Sequence, residues 1–182
     1  MKLRVVEGCD ECGFAYEDHL PPLVVDEMAS LGSRYRQRLH VDPGDEERVA
    51  LLRRRPNPEV WSALEYACHV RDVLLAQRER LFLALVEDCP SFAPIYREQR
   101  VVLAGYARED PGAVAEHLEV AAALVAAAFR GVDEEGWRRE CVYNFPAPAK
   151  RSIVWLAAHT LHEGEHHLRD CDRVMNSVGV DG

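Results

Sequence analysis

Four histidines and three carboxylates fall within the twelve residues 159–170, which read HTLHEGEHHLRD. His162 and His166 have i, i+4 spacing, and so do Glu163 and His167, which places each pair on one face of a helix. Imidazole and carboxylate groups are ligands for divalent metal ions, and one helix can offer two of them to the same ion. The stretch therefore predicts a metal site, and its spacing leaves open which of the two pairs supplies the ligands.

The position of each pair relative to the apolar face distinguishes the two registers. At ~100° per residue, Glu163 and His167 lie nearer the apolar arc of this helix than His162 and His166 do. Ligands in a helical bundle must point inward, so we favour Glu163 with His167 and keep His162 with His166 as the fallback. The apolar arc consists of Val154, Ala157, Leu161, Leu168, Cys171 and Met175.

A third ligand must come from another element, and His69 is the candidate. It lies in a second helical pattern with Asp72 one turn away, and a carboxylate so placed can accept the ring N–H and fix the tautomer. Asp170 has the same relation to His167. Two histidines and one glutamate with an open position indicate a catalytic site, with zinc expected and nickel, iron or manganese as alternatives. Such i, i+4 pairs also occur on solvated helix faces without any metal.

The cysteines form a separate pattern. Cys9-x-x-Cys12 followed by Gly13 resembles half of a zinc knuckle, in which a tight turn lets two thiolates bind one ion. A complete site needs two more ligands; His19 is nearby, and no fourth is evident. A redox pair or two unrelated cysteines fit the same spacing. Two further cysteines, Cys68 and Cys171, fall on apolar helix faces and are expected to be packed thiols.

Composition narrows the class of protein. The 182 residues suffice for one domain, and the net charge of −9 argues against binding to nucleic acid or an anionic membrane. No apolar run approaches the ~20 residues of a membrane span, and MKLRVVEGCD lacks the apolar core of a secretory signal. We therefore expect a cytoplasmic protein with reduced cysteines. Its basic residues are almost all arginine, which is typical of a GC-rich bacterial genome.

Apolar periodicity predicts an all-α protein. Four main helices are expected at 23–39, 59–86, 110–129 and 152–175, with a shorter one at 95–106 and a long loop at 132–150. We find no convincing strand. These helices and their long connections favour a four-helix bundle, whose core can hold a metal. The expected divisions are an N-terminal segment at 1–19 with the two cysteines, the bundle at 20–176 and a tail at 177–182.

Two stretches resemble the DinB/YfiT-like superfamily, whose members are four-helix bundles of metal-dependent enzymes. They are WSALEYACHVRD at 61–72 and HEGEHHLRD at 162–170, and the similarity extends over roughly residues 20–176. By that resemblance the ligands are His69, Glu163 and His167. Most members have histidine where this chain has Glu163. The mycothiol-dependent maleylpyruvate isomerase branch has glutamate there, followed by a His-x-x-Asp that matches His167 and Asp170.

The resemblance implies thiol chemistry with a small-molecule substrate. A bound metal would lower the pKa of mycothiol or another low-molecular-weight thiol, and the thiolate would act in transfer or isomerisation. A non-catalytic binding or redox-sensing bundle and a metal-dependent hydrolase are the alternatives, and a homodimer is compatible with the resemblance. Possible substrate contacts, from the long loop or by proximity, are Trp137, Tyr143, Phe145, Arg71 and Arg169.

Overall fold

The computed structural model describes residues 8–180, so residues 1–7 of the predicted N-terminal segment and residues 181–182 of the predicted tail lie outside it. Within the described range, the helices are α1 (Leu23–Leu39), α2 (Glu46–Arg53), α3 (Ala63–Val86), α4 (Arg97–Leu103), α5 (Pro111–Arg130), α6 (Glu134–Arg138) and α7 (Ile153–Val180). Helices α1 and α3 each pack against both α5 and α7. The predicted four-helix bundle is confirmed.

Local sequence signals define where the long helices begin. Helix α3 starts after Ser62, whose hydroxyl accepts from the Glu65 N–H while the Glu65 carboxylate accepts from the Ser62 N–H. This reciprocal capping box satisfies two backbone donors that a helix leaves unpaired. Asp110 caps α5 through the Ala113 N–H. Ser152 accepts from the Trp155 N–H at 3.1 Å and caps α7.

The core lies where the four long helices meet. Fully buried side chains from α1, α3 and α5 include Met28, Leu31, Leu74, Leu118 and Phe129. Helix α5 is long and apolar enough to cross a membrane by length and composition, with a mean hydropathy of 1.5, so the expectation that no apolar run approaches this length was wrong. Core helices of globular proteins meet the same criterion, and the apolar face of α5 packs against α1 and α3.

A small sheet occupies part of the connection that we predicted to be a loop. Strand β2 (Glu140–Tyr143) pairs antiparallel with β3 (Ala149–Ser152) and parallel with β1 (Ser91–Phe92). The expectation of no strands was wrong, because strands of two to four residues are too short to show alternation. The sheet brings the chain after α3 and the chain before α7 together at one end of the bundle.

The helices also differ from the sequence-based expectation at the end of α7, at α2, and at α6, which lies within the predicted loop. Helix α7 continues through residues 177–180 of the predicted tail, because Val174 and Val178 extend its buried apolar face. Helix α2 lies between the helices predicted at 23–39 and 59–86, and the sequence analysis missed it. It is only eight residues long, with one fully buried side chain, Leu52, and Asp45 as its cap.

Candidate metal centre

Helices α3 and α7 bring the three predicted ligands together. His69 Nε2 lies 3.8 Å from Glu163 Oε2, and His167 Nε2 lies 3.9 Å from the same oxygen. The three potential ligand atoms all lie within 4.8 Å of one another. These separations are too long for hydrogen bonds. Two ligand atoms that bind the same ion, each at ~2.0–2.2 Å from it, would lie a few tenths of an ångström closer to each other. The donor set therefore fits a divalent metal.

Close packing of α7 against α1 holds the glutamate in place. Gly164, next to Glu163, leaves no room for a side chain, because a Cβ there would lie 2.4 Å from Leu31 Cδ1. The Tyr35 hydroxyl on α1 donates to the Gly164 carbonyl on α7 at 2.9 Å. The glycine and the tyrosine therefore set the distance between α1 and the ligand-bearing turn of α7.

Asp170 and Asp72 were both predicted to orient a histidine, and only Asp170 does so. Asp170 Oδ2 lies 2.7 Å from His167 Nδ1, which leaves His167 Nε2 to face Glu163. The prediction for Asp72 was wrong. Its carboxylate accepts instead from the Tyr106 hydroxyl at 2.6 Å and from Arg71 at 2.9 Å. Within the described residues, the buried Nδ1 of His69 has no hydrogen-bond partner.

A cavity of about 340 Å³ opens beside the three ligands. The opposite wall comes from the chain around the start of α4, including Tyr96 and Arg97, and from Asn144 and Phe145 after β2. The β1–β2 pairing holds these two segments next to each other: the Asn144 amide donates to the Ser91 hydroxyl and the Phe92 carbonyl. The arrangement can hold an ion that faces a small organic molecule.

Comparison with known proteins assigns the chain to a family. A family model described as the DinB superfamily matches residues 45–171, which is more than half of the chain. The chain belongs to the DinB superfamily. The resemblance seen in the two sequence motifs is thereby confirmed. No match was found among curated proteins.

Solved structures share the fold of this DinB-superfamily chain. YfiT from Bacillus subtilis, described as a probable metal-dependent hydrolase with an unusual four-helix bundle topology, aligns with a TM-score of 0.73 at 15% identity, over 98% of this chain and 94% of YfiT. The mycothiol-dependent maleylpyruvate isomerase aligns with a TM-score of 0.60 at 18% identity, over 84% of this chain and 59% of that protein. Similarity at this level of identity establishes the fold alone.

Burial and charge both act on the groups of the DinB-type site. Burial lowers the pKa of His69, which favours the neutral imidazole that binds metals. Burial would by itself raise the pKa of Glu163, but the surrounding imidazoles, foremost that of His69, hold that pKa well below its usual range. Near neutral pH the site therefore presents a carboxylate on α7 and a neutral histidine on α3.

His159 is a site residue to which we assigned no role from the sequence. It lines the cavity, and its Nε2 lies 3.7 Å from the second carboxylate oxygen of Glu163. The Tyr16 hydroxyl lies 2.9 Å from His159 Nδ1, and the Trp155 ring stacks on the imidazole at 4.6 Å. The i, i+4 spacing from His159 to Glu163 was the available signal, since it matches that of the other two pairs.

The predicted substrate contacts separate into two groups. Tyr143 and Phe145 line the cavity, whereas Trp137 stacks on Phe129 at 5.9 Å, away from the ligands. Neither predicted arginine faces the cavity. Arg71 is paired with Glu109 and Asp72, and Arg169 donates to the Cys12 carbonyl. The arginines that do line the cavity are Arg80 and Arg97, for which the sequence held no distinguishing signal.

Burial disfavours the thiolate form of three cysteines outside the N-terminal pair. Burial raises the pKa of Cys68 and Cys171 far above the ordinary thiol range, and it raises that of Cys141 to about 12. Cys68 and Cys171 are fully buried, as predicted for packed thiols. No cysteine among residues 8–180 lines the cavity.

The N-terminal cysteines lie beside the neighbouring face of α7, next to two histidines that also line the cavity. Cys9 and Cys12 are grouped with His162 and His166, not with the three predicted ligands. The suggestion that His19 completes their site was wrong, because His19 Nδ1 lies 2.7 Å from a Glu27 carboxylate oxygen and its ring stacks on Phe14.

Proposed function

We propose that this chain is a metal-dependent enzyme that uses a low-molecular-weight thiol as S-transferase or isomerase. The observation that supports it best is the convergence of His69, Glu163 and His167 on one point in the wall of a 340 Å³ cavity. Three protein ligands leave coordination positions open, which is typical of catalytic sites. A divalent ion, with zinc as the first expectation, would lower the pKa of a bound thiol so that thiolate forms near neutral pH.

Among residues 8–180, the protein supplies no thiol nucleophile at this position. The described cysteines are absent from the cavity lining, and four of them are buried with raised pKa values. A thiolate reaction in this cavity would need an external thiol, such as mycothiol. We predict a cytoplasmic location, and the cytoplasm is a reducing compartment in which low-molecular-weight thiols are present.

The remaining residues of the site would bind and orient the reactants. Asp170 would accept a hydrogen bond from the proton on His167 Nδ1 and so favour the tautomer with a lone pair on Nε2, the nitrogen that faces the ligand cluster. Arg97 lies half exposed at the cavity wall beside Phe145, with its Nε 3.2 Å from a Glu98 carboxylate oxygen, and we propose that its guanidinium also pairs with a carboxylate on the thiol or its electrophile. Arg80 is instead held by Tyr143 and the Ala93 carbonyl, and it stiffens the wall.

A metal-dependent hydrolase is the second candidate. The YfiT structure is described as a probable metal-dependent hydrolase, and a metal-activated water would use the same three ligands. His159, 3.7 Å from Glu163, adds an imidazole that could accept a proton from such a water. The two candidates differ in whether turnover requires a thiol.

The test is an assay of the zinc-loaded protein with a panel of small electrophiles and carboxylated isomerisation substrates, each with and without mycothiol. We expect product formation only when the thiol is present. His69→Ala and His167→Ala should abolish it together with the metal bound at the three-ligand site. His117→Ala, an exposed histidine on α5, is the matched control and should change neither.

Each other outcome contradicts the proposal in a defined way. Turnover without any thiol would establish the hydrolase. Tight binding of the small molecules without turnover would indicate a carrier or sensor. Full metal content in both ligand variants would show that the three residues are not the site.

A further inference from the structure

A second set of metal-binding groups lies on the adjacent face of α7. The sulfur atoms of Cys9 and Cys12 and one ring nitrogen each of His162 and His166 all lie within 4.8 Å of one another. Cys9 Sγ is 3.6 Å from His166 Nδ1. Two thiols and two imidazoles are the donor set of structural zinc sites. This set shares no residue with the His69, Glu163 and His167 cluster.

The backbone around the cysteines forms a tight hairpin. Gly8 and Ala15 are bridged, the Cys9 N–H donates to the Phe14 carbonyl at 2.9 Å, and the Gly13 N–H donates to the Cys9 carbonyl at 2.7 Å. Gly13 has φ of +69°, a conformation that residues with a side chain rarely adopt. The turn between Cys9 and Cys12 therefore presents both thiols together, as a knuckle requires.

The hairpin is packed onto α7. Phe14 and Tyr16 are buried, and the Phe14 ring lies 5.2 Å from that of His162. Arg169, one turn beyond His166, donates to the Cys12 carbonyl. These contacts hold the cysteine turn against the turn of α7 that carries the two histidines.

Each histidine has one ring nitrogen engaged elsewhere and the other left for an ion. His162 Nδ1 lies 3.2 Å from the Tyr16 hydroxyl, while its buried Nε2 has no partner within residues 8–180. His166 Nε2 lies 3.4 Å from a Glu11 carboxylate oxygen, and its Nδ1 faces Cys9. Such outer contacts fix the tautomer of a ligating imidazole.

We infer that Cys9, Cys12, His162 and His166 form a structural zinc site that fastens the N-terminal hairpin to α7. Four protein ligands complete a tetrahedral shell and leave no position for a substrate. Soft thiolates with imidazoles select zinc over manganese or magnesium. Binding displaces the two thiol protons to solvent, and no redox step is involved. His162 and His166, the alternative ligand pair of the sequence analysis, therefore belong to this second site.

Cobalt substitution tests the inference on the intact chain. Reduced, metal-free protein loaded with Co²⁺ should show a thiolate-to-cobalt charge-transfer band and the intense visible bands of tetrahedral cobalt, and Zn²⁺ should erase them. His69→Ala/His167→Ala should keep this spectrum, because it leaves both thiolates in place. A wild-type spectrum without the charge-transfer band would overturn the inference, whether or not the protein has thiol-dependent activity.

Zinc content of variants provides the second measurement. Cys9→Ser/Cys12→Ser and His162→Ala/His166→Ala should each lose about one zinc equivalent per chain relative to wild type. Cys89→Ser, a cysteine outside this cluster, is the matched control and should lose none. Unchanged zinc content in both double variants would exclude the site. Recovery of Cys9 and Cys12 as a disulfide from cells, with no bound zinc, would also contradict it.

Discussion

His167 has different partners on its two ring nitrogens. Nδ1 contacts Asp170 at 2.7 Å, and Nε2 faces Glu163 and His69 across the proposed ion position. If Nδ1 keeps its proton to donate to the carboxylate, Nε2 is left with a lone pair, which is the form that binds a metal. The affinity of the site should therefore depend on a residue that never touches the ion.

Asp170→Asn tests this dependence. The neutral amide is a weaker acceptor and can present its NH₂ to Nδ1, so we expect metal affinity to fall about 10- to 100-fold. Competition for Mn²⁺, which thiolate sites bind poorly, isolates the three-ligand site. Asp172→Asn, the same change two residues later at a carboxylate that pairs with Arg38, is the control. Wild-type affinity in Asp170→Asn would show that the contact does not tune the ligand.

The two aspartates show how far residue spacing could be used for prediction. Asp170 lies three residues after His167 on the same helix and makes the expected contact. Asp72 lies three residues after His69 with the same geometry, yet it turns to Arg71 and Tyr106. Spacing establishes which groups are near each other, but competing partners from other elements decide which of them bind.

At the scale of elements, the approach of α1 to α7 depends on one glycine. A Cβ at residue 164 would lie 2.4 Å and 2.8 Å from the methyl groups of the fully buried Leu31. The site-bearing turn of α7 can therefore approach α1 only because residue 164 has no side chain.

Gly164→Ala should destabilise the protein. Overpacking costs about 1–3 kcal/mol, which exceeds the gain of up to about 1 kcal/mol from helix propensity. Gly179→Ala on the same helix meets nothing within 4 Å and should be neutral or stabilising. Urea unfolding measures both. Combining Gly164→Ala with Leu31→Ala should recover part of the loss expected from adding the single effects. Equal stability of the two glycine variants would contradict this account.

The buried carboxylate of Glu65 stabilises the start of α3 in a pH-dependent way. The Glu65 carboxylate is buried, accepts from Arg55 at 2.7 Å through both oxygens and closes the capping box with Ser62, one turn before His69. Burial would raise the pKa of Glu65, but Arg55 and the Ser62 N–H lower it below its usual value. A glutamate with a lowered folded-state pKa stabilises the fold above its unfolded pKa of ~4.3, and this contribution is lost as pH falls below it.

Glu65→Gln should therefore lower the free energy of unfolding by about 1.5–3 kcal/mol at pH 7. The difference from wild type should be constant down to about pH 5 and shrink below about pH 4.3. Chemical unfolding at a series of pH values measures it. Glu79→Gln, an exposed position on the same helix, is the control and should change stability little at any pH. A difference that does not depend on pH would mean that the charge of Glu65 is unimportant.

At the scale of the whole molecule, the proposed ions link parts of the chain that are far apart. His69 on α3 would be joined to α7, and the hairpin at Cys9 would be joined to α7 as well. A ligand that binds the folded protein and not the unfolded chain raises stability by mass action.

Removal of metal should therefore lower the melting temperature. A site occupied about 100-fold above its Kd contributes about 2.7 kcal/mol, or roughly 5–10 °C for a domain of this size. Calorimetry before and after chelation, and after zinc is restored, measures the shift. A variant with His69→Ala and Cys12→Ser should melt at one temperature whether chelator is present or not. A wild-type melting temperature that is insensitive to chelator would contradict both proposed sites.

The parts of the molecule that could be predicted depend on contacts that are close in sequence. The beginning of α1 after Pro22, the caps of α5 and α7 and the Glu163 and His167 pair all follow from residues within a few positions of one another. Pairing of β1 with β2 and the contact of Cys9 with His166 do not. The latter joins residues 157 positions apart, and no local pattern specifies such a partner. The cavity arginines were missed for the same reason.

The offset of one residue between the two ligand pairs on α7 has a consequence for how this chain can evolve. The pair at 162 and 166 and the pair at 163 and 167 are separated by one step of ~100° around the same helix. Point mutations can therefore delete one pair of ligands and leave the other pair in the sequence. A lineage that discards the cysteines and their two histidines would keep His69, Glu163 and His167, but it would change the wall of the cavity, which His162 and His166 also line. The two ligand sets can thus be inherited separately, while the shape of the substrate cavity depends on both.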